Sequence, residues 1–238
     1  TSLVRHAFPK LPVILGGIEA SLRRATHYDF WTDKIRRSLL LDSKADLLIY
    51  GMGEYAVLEA AQRLQAAEET APRPAEVLRG IPGTAFALSS LDRLADLPNP
   101  PKSDEMIVLP SHESILSDKK ALMEATLALE RQVHQGTQWA CQAAGTQQVV
   151  FAPPAPLPDS AALDALYALP FTRQAHLSYK DPIPALEMIQ FSITAHRGCA
   201  GGCTFCSITS HQGRQIRSRS AESLIAEACA MTRHPDWT

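Results

Sequence analysis

The sequence predicts an α/β fold: an amino-terminal, partial doubly wound domain followed by the first strand, loop and helix of a partial β/α barrel. Three observations predict it. Two short apolar runs, residues 11–16 and 45–50, each end in a glycine turn with a helical pattern after it. The middle of the chain carries a long amphipathic helix and then an apolar strand. Near the carboxyl end, an alternating segment enters a loop rich in cysteine and glycine, and a capped helix follows.

Taken in order, residues 11–16 are a short apolar run closed by Gly16 and Gly17, and residues 34–41 have the spacing of a short amphipathic helix. Residues 45–50 form the second apolar run. Gly51, Met52, Gly53 and Glu54 then open a helix with Val57, Leu58, Ala61 and Leu64 at helical spacing. Two strands each followed by helix imply a parallel pairing, and in such sheets ligands sit beyond the carboxyl ends of strands, where these glycine turns lie. Neither turn completes the G-x-G-x-x-G dinucleotide pattern. Glu19 and Glu54 follow the two turns, placed either to face a shared cleft or to complement a helix dipole. His27, Tyr28 and Trp31 make an aromatic patch beside Arg23 and Arg24, expected to pack in the core or against another domain.

Residues 91–103 read as a linker, since Pro98, Pro100 and Pro101 oppose regular structure. Ser117 or Asp118 caps the long helix, whose Leu122, Ala125, Leu129 and Val133 share a face. A strand over 148–152 runs into the proline-rich stretch 153–158, and a helix over 160–169 aligns Leu163, Leu166 and Leu169. Residues 188–195 alternate as a strand with Ile189, Phe191, Ile193 and Ala195 on one face. After the cysteine loop, 215–219 is extended. Ser220 then caps a helix with Leu224, Ile225, Ala228 and Met231 in one stripe and Glu222 and Glu227 outside it. The domains expected are residues 1–95, a linker and helical connector over 96–182, and the start of the barrel over 183–238.

The chemistry concentrates in Cys199, Cys203 and Cys206, spaced C-x3-C-x2-C. Three thiolates can hold three irons of a [4Fe-4S] cube and leave the fourth open. A zinc site that recruits His196 or His211, or a disulfide with one spare thiol, are the alternatives. The total of five cysteines is odd, and nothing marks the chain for secretion. Cys141 and Cys229 are expected as small core residues. Between Met188 and Ala221 there is no acidic side chain, while Arg197, Arg214, Arg217, Arg219, His196 and His211 are present. Such a run is either a solvated basic face or the surroundings of an anionic cluster and a carboxylate- or phosphate-bearing ligand. Phe205 is placed either to lay its ring against a bound aromatic group or to pack beneath the loop.

The chain has 238 residues, 45% of them hydrophobic, with 23 Lys plus Arg against 25 Asp plus Glu. A real core is therefore affordable and no bulk charge draws the molecule to nucleic acid or membrane. No apolar run reaches membrane-spanning length and no signal peptide is visible, so a cytoplasmic location is expected. The chain starts at Thr1 and stops just past a helical pattern, which reads as an internal piece of a longer polypeptide.

The cysteine block, with an aromatic residue before the last cysteine, resembles the signature of the radical S-adenosylmethionine (radical SAM) superfamily. Further blocks resemble its YgiQ family: residues 16–24, 42–46, 109–111, 169–173, 176–180 and 198–220. The resemblance implies that Cys199, Cys203 and Cys206 ligate a [4Fe-4S] cluster, that S-adenosylmethionine binds its open iron, and that Phe205 and Arg217 contact this cofactor. It implies an enzyme that reductively cleaves S-adenosylmethionine to a 5′-deoxyadenosyl radical, served by a flavodoxin- or ferredoxin-like electron donor, on a substrate not readable from the residues. RNA is one candidate substrate. It also implies that the amino-terminal part is similar to the cobalamin-binding-like domain of many relatives, although the Asp-x-His-x-x-Gly motif that would supply a cobalt ligand does not occur. The rival class is a non-catalytic zinc or electron-transfer module. A chain ending before the next barrel strand is expected to be inactive alone.

Overall fold

The computed structural model describes residues 1–67, 74–97 and 99–237. In chain order its elements are α1 (Ser2–Ala7), β1 (Ile14–Leu15), α2 (Ile18–Leu22), β2 (His27–Asp29), β3 (Lys34–Arg36), α3 (Leu39–Ser43), β4 (Leu47–Ile49), α4 (Glu54–Ala66), α5 (Pro74–Val77) and β5 (Thr84–Leu88). Then come β6 (Met106–Leu109), α6 (His112–Ser117), α7 (Lys119–Gln135), β7 (Trp139–Ala144), β8 (Gln147–Phe151), α8 (Ser160–Tyr167), α9 (Pro184–Ile189), β9 (His196–Arg197), α10 (Ile208–Gln212), β10 (Arg217–Ser218) and α11 (Ala221–Met231). They fall into two compact units. One comprises residues 1–156 with 201–214, the other residues 157–200 with the chain from 215 onward.

The first unit is a mixed α/β structure around a six-stranded sheet of order β1-β4-β5-β8-β7-β6. Its central strands are apolar on consecutive positions because both faces are covered, and successive side chains alternate between the faces. Leu47 and Ile49 share one side with Phe86, Cys141, Val150 and Ala56 and Ala60 of α4. Leu48 and Tyr50 share the other with Ala85, Val149, Phe151 and Ala128 of α7. Cys141 is a core residue, as expected, and burial pushes its thiol pKa up.

The pairing expected of β1 and β4 is found: they are parallel, Ile14 opposite Leu47. Beyond that pair the sheet departs from an all-parallel arrangement. β5 is antiparallel to both β4 and β8, β7 is antiparallel to β8, and β6 is parallel to β7. The physical reason lies at the start of β5. β5 begins beside the carboxyl end of β4, with Thr84 opposite Ile49, so it runs back along that strand. There Tyr50 N donates to Gly83 O at 2.8 Å.

Three segments differ from expectation in the first unit. Residues 34–41 are not one helix: Lys34–Arg36 pairs antiparallel with His27–Asp29, and Ser38 starts α3 by accepting from Leu40 N at 3.2 Å. Asp33, in the left-handed region at φ 52°, makes the hairpin turn that helical spacing does not reveal. The expected connector 96–182 contributes β6, β7 and β8 to the sheet. β7 is hard to read because Trp-Ala-Cys-Gln-Ala-Ala lacks β-branched residues. Its buried Gln142 is satisfied at a distance, accepting from Thr26 N at 2.8 Å and donating to Pro110 O at 2.9 Å. Of the expected linker, Pro98 lies outside the described residues, while Leu97 is buried in the core. The long helix is as expected, with Asp118 capping it by accepting from Lys120 N at 2.9 Å.

In the second unit β9 and β10 pair antiparallel, Arg197 opposite Arg217, and α8, α9 and α11 complete it. Ser220 caps α11 as expected, accepting from Ser223 N at 3.1 Å. Residues 188–195 are not a strand. Pro184 presets the first turn of α9, and the carbonyls that a neighbouring strand would have bonded are taken by arginines. Arg173 Nη1 donates to Gln190 O at 2.9 Å and Ser192 O at 3.1 Å, and Arg219 Nη1 donates to Thr194 O at 3.2 Å. Glu227, placed outside the apolar stripe of its helix, accepts from both arginines and so ties them together within the unit. Cys229, expected in the core, is exposed, because Met231 rather than Cys229 turns inward at this end of α11.

Candidate functional site

The cysteine loop is shared between the units, Cys199 belonging to the second and Cys203 and Cys206 to the first. In the second unit, Gly198 takes φ +86° and its backbone lies so close to Gln215 that a Cβ there would stand 2.2 Å from Gln215 O. No other residue type fits this crossing. Cys199 is half-buried beside it. Arg197 places its guanidinium 5.4 Å from the Tyr167 ring centre and Arg219 4.4 Å, so two of the basic residues are held on an aromatic face within the unit. Arg217 is exposed and donates to Gln215 Oε1 at 3.3 Å.

In the first unit Cys203 and Cys206 are exposed and joined by a turn in which Cys206 N donates to Cys203 O at 3.2 Å. Phe205 is 91% exposed, so it does not pack beneath the loop. The chain then forms α10, which packs on α2 beside the glycine turn after β4. The buried Ser21 hydroxyl joins them, accepting from Gly51 N at 3.0 Å and meeting His211 Nδ1 at 2.9 Å. Gly51, at φ +74°, leaves room for this helix, since a Cβ would touch His211 O at 3.4 Å. The carboxyl end of β4 therefore receives the segment that leaves the cysteines. Glu19 forms an ion pair with Arg23 at 3.4 Å on its own helix. The aromatic patch is not core: Trp31 is 79% exposed and stacks against Phe30 at 4.5 Å between ring centres.

His211 and His27 both sit below the ordinary histidine pKa, chiefly through burial. Arg24 adds to the depression at His211, and Glu54 opposes it. Both rings therefore take up protons less readily in the folded state than when unfolded. Because the unfolded chain then binds more protons, stability is full above about pH 6.5 and falls as pH drops below it. Urea denaturation at pH 7.5 and 5.5 is expected to show lower stability at 5.5, with a smaller difference in His211→Gln. Equal stability at both values would contradict the burial of these rings.

All five cysteines are free thiols. Among the described residues, no three His, Cys, Asp or Glu side chains are gathered where they could hold a metal ion. The donor chemistry nonetheless fits an iron-sulfur cluster, being three unpaired thiols on a short glycine-bearing loop, two of them open to solvent. Ser21 has no role in the sequence reading, and Arg24 enters it only as a neighbour of the aromatic patch. Their signal was the block 16–24, where a glycine pair is followed by Ser and two arginines.

The sequence model of the family described as Radical SAM N-terminal matches residues 1–192. The chain belongs to the radical SAM superfamily. Its relatives are UPF0313 proteins, the YgiQ-type family. One from Methanosarcina acetivorans is 43% identical over 98% of the chain and 33% of its own length. Another from Geobacter sulfurreducens is 46% identical over 95% of the chain and 36% of its own length, and one from Methanocaldococcus jannaschii is 38% identical over the whole chain and 37% of its own length. The chain thus spans about a third of the curated relatives it matches. No solved structure matches it. No helix among the described residues is long and apolar enough to cross a membrane.

Proposed function

We propose that this chain is the amino-terminal and cluster-loop portion of a radical SAM enzyme, with Cys199, Cys203 and Cys206 as the ligands of a [4Fe-4S] cluster. The observation that carries the reading is the C-x3-C-x2-C run of free thiols in a chain of this superfamily. When bound, the cluster supplies the electron that cleaves S-adenosylmethionine and so yields a 5′-deoxyadenosyl radical able to abstract hydrogen from a substrate.

The chain's own residues have narrower tasks. The thiolates bind iron and leave one metal position open. Phe205, with its face in solvent, is placed to cover a flat ring, and Arg217 offers an exposed guanidinium to a carboxylate. Arg197 and Arg219 are committed to Tyr167 and Glu227 and serve as supports rather than ligands. Gly198 sets the exit of β9 and hence the start of the loop. In this reading β1 and β4 with their glycine turns are the doubly wound part, and β9 and α11 open the barrel.

The test uses the whole polypeptide of which this chain is a part, reconstituted anaerobically with iron and sulfide. Dithionite and S-adenosylmethionine are expected to give 5′-deoxyadenosine, and the reduced EPR signal is expected to change when S-adenosylmethionine is added. A cluster indifferent to S-adenosylmethionine would assign the loop to electron transfer instead.

A further inference from the structure

The first unit contains a buried cation with no anionic partner among the described residues. Arg24 is only 4% exposed. Its Nη1 donates to Ser21 O at 2.5 Å, and its guanidinium lies 4.8 Å from the centre of the Tyr50 ring. Its Nε is fully buried with no acceptor, and no carboxylate among the described residues pairs with it. A guanidinium removed from water with neither counter-charge nor a full set of acceptors is costly, and buried charges are ordinarily paired. Burial accordingly holds this arginine below its usual pKa, and Tyr50 only partly offsets the effect.

Beside this cation lies a cleft of about 280 Å³, which Arg24 lines together with His27, Thr126, Glu130 and Ser210. The volume is near the lower end for a small-molecule site. His27 uses Nδ1 on Ala25 O at 3.1 Å, which leaves Nε2 as its second ring nitrogen, and Ser210 adds a hydroxyl to the lining. Glu130 is the one carboxylate on the wall; it pairs with Arg214 at 3.5 Å and meets His134 Nε2 at 3.3 Å. The two threonine hydroxyls of the cleft are occupied, Thr126 donating to Leu122 O at 2.8 Å and Thr26 meeting His112 at 3.2 Å. A buried cation with one unpartnered N–H, a serine and a histidine line a small hollow whose single acid is already paired.

We infer that this cleft is a binding site for a small oxyanion, a phosphate or carboxylate group carried by a compact molecule, with Arg24 as its principal contact. The site needs no cluster, and its test is built so that none enters. The reference protein is the 238-residue chain with Cys199, Cys203 and Cys206 all replaced by alanine. Calorimetric titration is made with inorganic phosphate and with acetate, against chloride at equal ionic strength. Saturable binding of at least one oxyanion is expected, and the one that binds identifies the group. Arg24→Met, which replaces a buried charge by an apolar chain of similar length, is expected to weaken binding by roughly tenfold or more. Thr126→Glu, on an exposed helical position, adds a negative charge to the wall and is expected to weaken it without disturbing the fold. Glu130→Gln is expected to tighten it. Absence of saturable binding for both oxyanions would overturn the inference, as would binding unaffected by Thr126→Glu and, in the folded protein, by Arg24→Met.

Discussion

Glu227→Ala is expected to destabilise the second unit by about 3–5 kcal/mol, the cost of breaking a buried ion pair by deleting one partner. The carboxylate is 11% exposed and accepts from Arg219, whose side chain is 1% exposed, and from Arg173. Both arginines also donate to the carbonyls of residues 190–194, so the loss strands two cations and loosens the segment that leads into β9. Arg219 keeps Ser223 as a second anchor, its Nη2 donating to Oγ at 2.8 Å. Glu227→Gln, which preserves shape and one acceptor, is expected to fall between the variant and the parent. Amide hydrogen exchange reads the result: protection in β9, β10 and α11 is expected to collapse in Glu227→Ala. Unchanged protection there would mean that the triad is dispensable.

Gly198→Ala is the second large effect. The added Cβ would meet Gln215 O at 2.2 Å and Gln215 C at 3.0 Å, both backbone atoms that cannot turn aside, and φ is +86°. Strain at positive φ and overpacking each cost of order 1–3 kcal/mol, so a combined loss of about 2–5 kcal/mol is expected. The pairing of Arg197 with Arg217 should open, and Cys199, half-buried in the parent, should alkylate at a rate approaching that of exposed Cys203. Parent-like stability and a protected Cys199 would show that the backbone crossing at Gly198 is not required.

How far the sequence reveals this molecule depends on where its information is local. The glycine turns after β1 and β4, the Asp118 and Ser220 caps and the cysteine spacing are decided within a few residues, and these were legible. The antiparallel course of β5 depends on where a long connection returns, which no local pattern encodes. β7 hides behind small residues and a glutamine satisfied by Thr26 and Pro110, far away in sequence. Residues 188–195 alternate as a strand should, yet Arg173 and Arg219 take the carbonyls of that segment. Glu227 lies outside its helix's apolar stripe for the same reason: it faces arginines rather than water. At the site, the spacing of the thiols is plain in the sequence, whereas the seating of α10 on Ser21 and the isolation of Arg24 appear only when distant segments meet.

The most direct test of the central claim is metal analysis of the anaerobically reconstituted whole polypeptide. The expected result is about four irons and four sulfides per molecule with a broad visible absorption, and loss of both when Cys199, Cys203 or Cys206 is replaced by alanine. A colourless protein holding one zinc, or an iron content untouched by those substitutions, would contradict it.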